Sequence, residues 1–166
     1  MILYFEVDNL IHLFEVIYSH YTRVEEVPRY EDYAEGISKI GAILQGVKSD
    51  HYQTLYEKAA YLFIQINKGH FFPNGNKRLA VVVSIGFLFL NDCDFIYRSK
   101  SDYKRKIEAI FPQFNDFKEF PEFSPEDTVF YNLSILVADN HRYEPDFDKL
   151  KKGAESLFGY AFSLSL

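Results

Sequence analysis

Tryptophan is absent from this chain, cysteine and methionine occur once each, and no apolar run is long enough to span a bilayer. The single thiol, Cys93, excludes an intrachain disulfide and suits a reducing compartment, so a cytoplasmic location is expected. The longest apolar run, Leu79 to Leu90, falls short of the ~20 residues needed to cross a membrane. The opening residues, Met-Ile-Leu-Tyr-Phe-Glu, lack the basic leader and long apolar core of a secretion signal. Clustered Lys and Arg are missing as well. With a net charge of −6, the chain cannot draw affinity from neutralising a phosphate backbone, which argues against nucleic acid as a partner.

Hydrophobic residues make up 48% and charged residues 25% of the 166, a globular composition that predicts a single domain over residues 1–166 with one sizeable core. Aromatic residues reach 18%, supplying large-area packing and leaving tyrosines for the surface. Apolar spacing predicts helices throughout. Asp8 is placed to cap a helix with Leu10, Leu13, Phe14, Ile17 and Tyr21 on one face, and Thr22 to Pro28 forms an acidic connection. Tyr30, Tyr33, Ala34, Ile37, Ile40 and Leu44 mark a second helix. Residues 2–7 read as a short edge strand, and Gln45 to Gln53 as a polar connection.

The most informative stretch is Gly69 to Arg78, Gly-His-Phe-Phe-Pro-Asn-Gly-Asn-Lys-Arg. Upstream, Thr54 and Glu57 form a capping box, and Ala59, Leu62, Phe63 and Ile66 recur at helical spacing. Downstream, Lys77 to Leu90 is apolar on nearly every side and should be fully buried. Pro73, Asn74 and Gly75 interrupt the helix between them, which predicts helix, tight loop, helix. The first amides of the second helix carry partial positive charge without internal partners, an arrangement that binds anions, phosphate above all. Lys77 and Arg78 on that first turn add two cations. His70, at the other lip, is the candidate general base for a hydroxyl. This combination suits phosphoryl-type transfer. It is not a P-loop, because that spacing puts Gly and Lys side by side after a strand.

The pattern His-x-Phe-x-x-Gly-Asn-Lys-Arg resembles the signature of the Fic/Doc family, and Lys77 before Arg78 resembles the death-on-curing (Doc) branch. Gly69 and the apolar run from Ala80 to Leu90 strengthen the likeness, which extends over Met1 to Asp92. The remainder, from Ser101 to Leu166, reads as a helical extension. The resemblance implies an all-α domain around a buried central helix, with a small β-hairpin flap at Gly46, Val47 and Lys48 that docks the target segment. It implies catalytic roles for His70, Lys77 and Arg78, phosphate binding by Gly75, Asn76, Lys77 and Arg78, and a loop anchored by Phe72. ATP is the implied substrate and magnesium the implied ion. The family's acidic magnesium ligand is Asn74 here, a neutral amide, whereas magnesium sites are usually built on carboxylates.

Three activities follow from the likeness. Doc-like phosphorylation of a target protein comes first, in a toxin paired with an antitoxin and with a translation elongation factor as the family's kind of target. Fic-type AMP transfer (AMPylation) is the second. The third is a binding protein that keeps the fold but has lost catalysis at Asn74. Self-inhibition is not expected, since Glu31 stands where the inhibitory motif ending in Glu35-Gly36 needs Ser or Thr. Val81 likewise replaces the arginine that such a helix would engage.

Beyond the resemblance, Phe95 to Arg98 reads as a short strand and Ser101 as a helix start. Phe111, Phe114, Phe117, Phe120 and Phe123 recur every third residue, with Pro112 and Pro121 excluding a long helix. One apolar edge packed down is the favoured reading, an exposed partner-binding stripe the alternative. Ser124-Pro125-Glu126-Asp127 starts a helix expected to run to about Asn140. Phe147, Leu150, Ala154, Leu157, Phe158 and Ala161 form the last one.

Overall fold

The computed structural model describes residues 1–21 and 28–165. The chain divides into two compact units, Met1–Asp92 and Cys93–Leu166. Both are helical, and no helix among the described residues is long and apolar enough to cross a membrane. The all-α class that the resemblance implies is the one observed.

The first unit holds α1 (Asn9–Tyr21), a 3-10 turn (Tyr30–Asp32), α2 (Ala34–Gly46), α3 (Leu55–Lys68) and α4 (Asn76–Leu90). The acidic connection beginning at Thr22 lies outside the described residues until Pro28. Leu10, Phe14 and Ile17 of α1 are buried as their spacing requires. The α3–α4 hairpin is the centre of the unit, with Ala59, Leu62, Phe63 and Ile66 on one helix and Leu79, Ala80, Val83 and Phe87 on the other all buried. Each of these side chains other than the two alanines contributes roughly 1.5–3 kcal/mol on leaving water. α4 is not buried all round: Phe89 is 47% exposed and Val81, Val82 and Ile85 are half-buried.

Residues 2–7 form no strand. The Asn91 carboxamide takes the place of a neighbouring strand, accepting from the Leu3 amide at 2.8 Å and donating to its carbonyl at 3.0 Å. Once the backbone of Leu3 is satisfied by a side chain, a sheet partner is unnecessary. The expected second helix is split, because Tyr33 leaves helical geometry (φ −112, ψ 71) between the 3-10 turn and α2.

The second unit comprises β1 (Cys93–Phe95), α5 (Lys100–Ile110), α6 (Pro125–Ala138), α7 (Asn140–Tyr143), α8 (Phe147–Ala161) and β2 (Phe162–Leu164). The strands pair antiparallel, Asp94 opposite Ser163. Ser99, not Ser101, caps α5 through a reciprocal box with Asp102, and Ser124 caps α6 in the same way with Asp127. The phenylalanine stripe is packed down: Phe111 and Phe114 are buried, while Phe120 and Phe123 form an aromatic cluster with Tyr131. Gly153 sits inside α8 because a Cβ there would lie 2.3 Å from the Phe111 ring. Nor are the tyrosines confined to the surface, since Tyr30, Tyr103 and Tyr143 are all buried.

Candidate functional site

The loop between α3 and α4 is shaped by aromatic rings and hydrogen bonds that close on one another. Thr54 and Glu57 make the predicted capping box, and bonds from the Thr54 and Gln53 amides hold the Glu57 carboxyl below the usual carboxylate range. α3 ends at Lys68, and the chain then reverses sharply. Gly69 is needed because the Phe71 ring folds over it, only 2.1 Å from where a Cβ would stand. His70 takes the left-handed conformation that glycine usually supplies at a helix end, with φ 48. The reversal leaves His70 exposed and turns Phe72 inward, where it is 4% exposed.

Phe72 meets Tyr30 edge-on with ring centroids 4.9 Å apart and Tyr33 likewise at 6.0 Å. Its ring also lies against Gly36 of α2, where a Cβ would come within 2.8 Å. The Asn76 carboxamide fixes the Phe72 backbone at both ends, accepting from its amide at 3.1 Å and donating to its carbonyl at 2.7 Å. Gly75 then starts α4 at φ 76, and its carbonyl accepts from the Leu79 amide at 3.0 Å and the Tyr30 hydroxyl at 3.1 Å. Burial pushes the Tyr30 hydroxyl up to about 12, against the opposing pull of the Arg78 charge.

Electrostatically, α4 differs from its neighbours. Helices α3, α5, α6 and α8 begin with a side chain that accepts from the first-turn amides, namely Thr54, Ser99, Ser124 and Asp146. α4 begins with a glycine and has no side-chain cap and no acid in its first turn. α2 also starts uncapped, but with Glu35 on its first turn. The N-terminal end of α4 therefore keeps its positive potential, reinforced by Lys77 and Arg78.

The residues singled out from sequence fall into two groups. His70, Asn74 and Lys77 are exposed, and among the described residues neither the His70 ring nor Lys77 makes a hydrogen bond or ion pair. Phe72 and Asn76 are buried, and the Asn76 side chain is already committed to Phe72, so only its backbone amide is left to meet a ligand. Arg78 is half-buried beside Tyr30. A resident magnesium ion does not fit the donors here. The loop offers the neutral oxygen of Asn74 and no carboxylate, and no group of three His, Cys, Asp or Glu able to hold a metal occurs among the described residues.

The expected hairpin at Gly46, Val47 and Lys48 is not formed. α2 runs through Gly46 and the chain continues in turns. The cause is Lys58, 3% exposed, whose Nζ donates to the Val47 carbonyl at 2.7 Å and the Ser49 carbonyl at 3.1 Å. It draws both carbonyls inward, leaving Val47 buried and removing two of the acceptors that strand addition would use. Lys48 turns outward to Glu6 at 2.6 Å. The paired strands lie instead at Cys93–Phe95 and Phe162–Leu164.

Tyr30, Tyr33, Gly36 and Lys58 were not apparent as parts of this region from sequence. The contacts of Tyr30, Tyr33 and Gly36 span large sequence separations, 45 residues for Tyr30 to Gly75, and no local pattern marks them or Lys58. Taken together, loop and helices define an anion-receptive helix–loop–helix with an exposed histidine at its lip. The chain belongs to the Fic/DOC family: the family model matches residues 6–88, half of the 166 residues. Members of that family transfer phosphate or nucleotide groups to proteins. No curated protein and no solved structure gives a significant match.

Proposed function

We propose that the protein transfers the γ-phosphate of ATP to a hydroxyl of a target protein. One observation carries this reading: the uncapped start of α4, with exposed Lys77, lies on the same short loop as an exposed His70 that has no hydrogen-bonding partner among the described residues. The amides of Asn76 and Lys77, with the Lys77 and Arg78 side chains, receive the phosphate chain. His70 accepts the proton of the target hydroxyl as its oxygen attacks phosphorus and the bond to the leaving nucleotide breaks. Lys77 favours phosphate over AMP transfer, because its side chain fills space beside the turn that a glycine would leave open to a second phosphate. No step is routed through magnesium. Such an enzyme would act in the cytoplasm as a toxin restrained by an antitoxin, with a component of translation such as an elongation factor as its target.

A second reading, a binding protein that retains the fold, draws on Asn74 standing where a metal-holding acid belongs. Incubating the protein and its His70→Ala variant with cell lysate and ATP labelled on the γ or the α phosphate separates the possibilities. Label on protein from γ alone, lost in the variant, is expected. Transfer from α would replace phosphorylation by AMP transfer, and no transfer from either would overturn the enzymatic reading in favour of the binding protein.

A further inference from the structure

We infer that Tyr30 is a positioning residue for the anion-binding turn, its hydroxyl setting the direction of the Asn76 amide through the Gly75 carbonyl. The inference rests on the phosphate-binding role proposed above. The Gly75 carbonyl and the Asn76 N–H belong to one planar peptide and point in opposite directions, so fixing the oxygen aims the hydrogen. Something must fix it, because glycine is the residue least able to hold its own dihedral angles. The Leu79 amide supplies one bond to that oxygen, but a helix start frays readily. Tyr30 supplies the other from outside the helix.

Tyr30 is itself held on several sides. Its ring stacks on Phe14 at 4.8 Å and on Tyr18 at 6.1 Å, and Phe72 meets it edge-on. Its backbone amide donates to the Tyr18 hydroxyl at 2.9 Å, which in turn donates to Glu31 at 2.7 Å. The contacts close into a circuit: Tyr30 holds Gly75, the next residue Asn76 holds the Phe72 backbone, and the Phe72 ring packs against Tyr30. Within that circuit the tyrosine hydroxyl is the member that bonds to the peptide facing the ligand. Arg78 lies close enough to influence the same hydroxyl, so one side chain orders a backbone donor and neighbours a cation of the same site.

The test compares wild type, Tyr30→Phe and Phe14→Leu for binding of ATP and of inorganic tripolyphosphate, with the Asn76 amide followed by 15N NMR. Tyr30→Phe keeps the ring and should weaken both ligands about fivefold, the worth of one hydrogen bond, and should move the Asn76 amide resonance. Phe14→Leu loosens the same aromatic cluster without touching the bond. It should lower the unfolding midpoint while weakening the ligands much less than Tyr30→Phe does, the opposite of what a merely structural Tyr30 predicts. If Tyr30→Phe does not fold, 3-fluorotyrosine at position 30, a stronger donor with the same ring, should move the Asn76 amide resonance and tighten both ligands relative to wild type, and no change in either would overturn the positioning role. Equal affinity in wild type and Tyr30→Phe would overturn the positioning role while leaving phosphate binding intact. Wild type that binds neither ligand would overturn both.

Discussion

Replacing Gly75 by alanine probes the turn at its most constrained point. At φ 76 an alanine pays about 1–2 kcal/mol for left-handed geometry. The new Cβ would stand 2.3 Å from the Tyr30 hydroxyl, 3.2 Å from Tyr30 Cζ and 3.3 Å from Pro28 Cδ. No real methyl group sits at the first distance, so the hydroxyl must swing away and give up the Gly75 carbonyl, a further loss of about 1 kcal/mol. Stiffening the unfolded chain returns about 0.5 kcal/mol. The sum is about 2 kcal/mol, which for a chain of this size lowers the thermal midpoint by about 4–8 °C. Urea unfolding followed by circular dichroism measures it. A double-mutant cycle sharpens the test, because Tyr30→Phe removes both the clash and the bond, so the two substitutions should couple by about 1 kcal/mol. A Gly75→Ala protein within ~0.5 kcal/mol of wild type, or strict additivity with Tyr30→Phe, would refute the argument.

Lys58→Met removes two charged hydrogen bonds, roughly 1.5–3 kcal/mol each, but also removes the cost of burying an ammonium. A net destabilisation of about 1–3 kcal/mol is expected, with faster amide hydrogen exchange across residues 47–52; unchanged exchange there would show that Lys58 does not hold the turn. Hydrogen bonds from the Ser99 side chain and amide, then Arg105, lower the Asp102 carboxyl from 3.8 to about 2. A depressed carboxyl contributes stability above its unfolded value that is lost as pH falls through the folded one, so the start of α5 should weaken between about pH 4 and pH 2. Asp102→Asn should flatten that stretch of an acid titration read at the α5 amides, and an unchanged profile would count against the assignment.

Helices were legible in this sequence because their signals are local. The Thr54–Glu57 box, the apolar spacing of α3 and the Pro73-Asn74-Gly75 break each lie within a few residues of what they determine. The failures share the opposite property. Residues 2–7 have strand-like content, but Asn91, far along the chain, takes the backbone amide and carbonyl of Leu3. The resemblance put a hairpin at Gly46 to Lys48, and the buried Lys58, bonded to the Val47 and Ser49 carbonyls, keeps that stretch in turns. Of the loop itself, the anchoring by Phe72 and the exposure of His70 and Lys77 could be expected from the motif. The inward turn of Asn76 could not, because a polar residue on a first helical turn has no local reason to prefer a backbone four residues back over a ligand.

The loop spends stability in two places where a cheaper residue exists. Glycine at position 70 would relieve the left-handed strain on His70, of order 1–2 kcal/mol. A serine or aspartate N-cap on α4 would bring about 1 kcal/mol that Gly75 does not supply, as its counterparts do on α3, α5, α6 and α8. The chain instead places the strained histidine at the exposed lip and leaves the amides of Asn76 and Lys77 without a side-chain acceptor. Against a total stability of about 5–15 kcal/mol, roughly 2–3 kcal/mol is a substantial concession for one turn. Phe72, Asn76 and Tyr30 hold the backbone in that costly form with buried contacts that a plain connection between two helices would not require. The expense is intelligible if the amides meet an anion and the imidazole meets a hydroxyl. Asn74 alone departs from that logic, since it sits exposed on the turn without the charge that would hold a cation, so a failure of both labels to transfer would point first to this position.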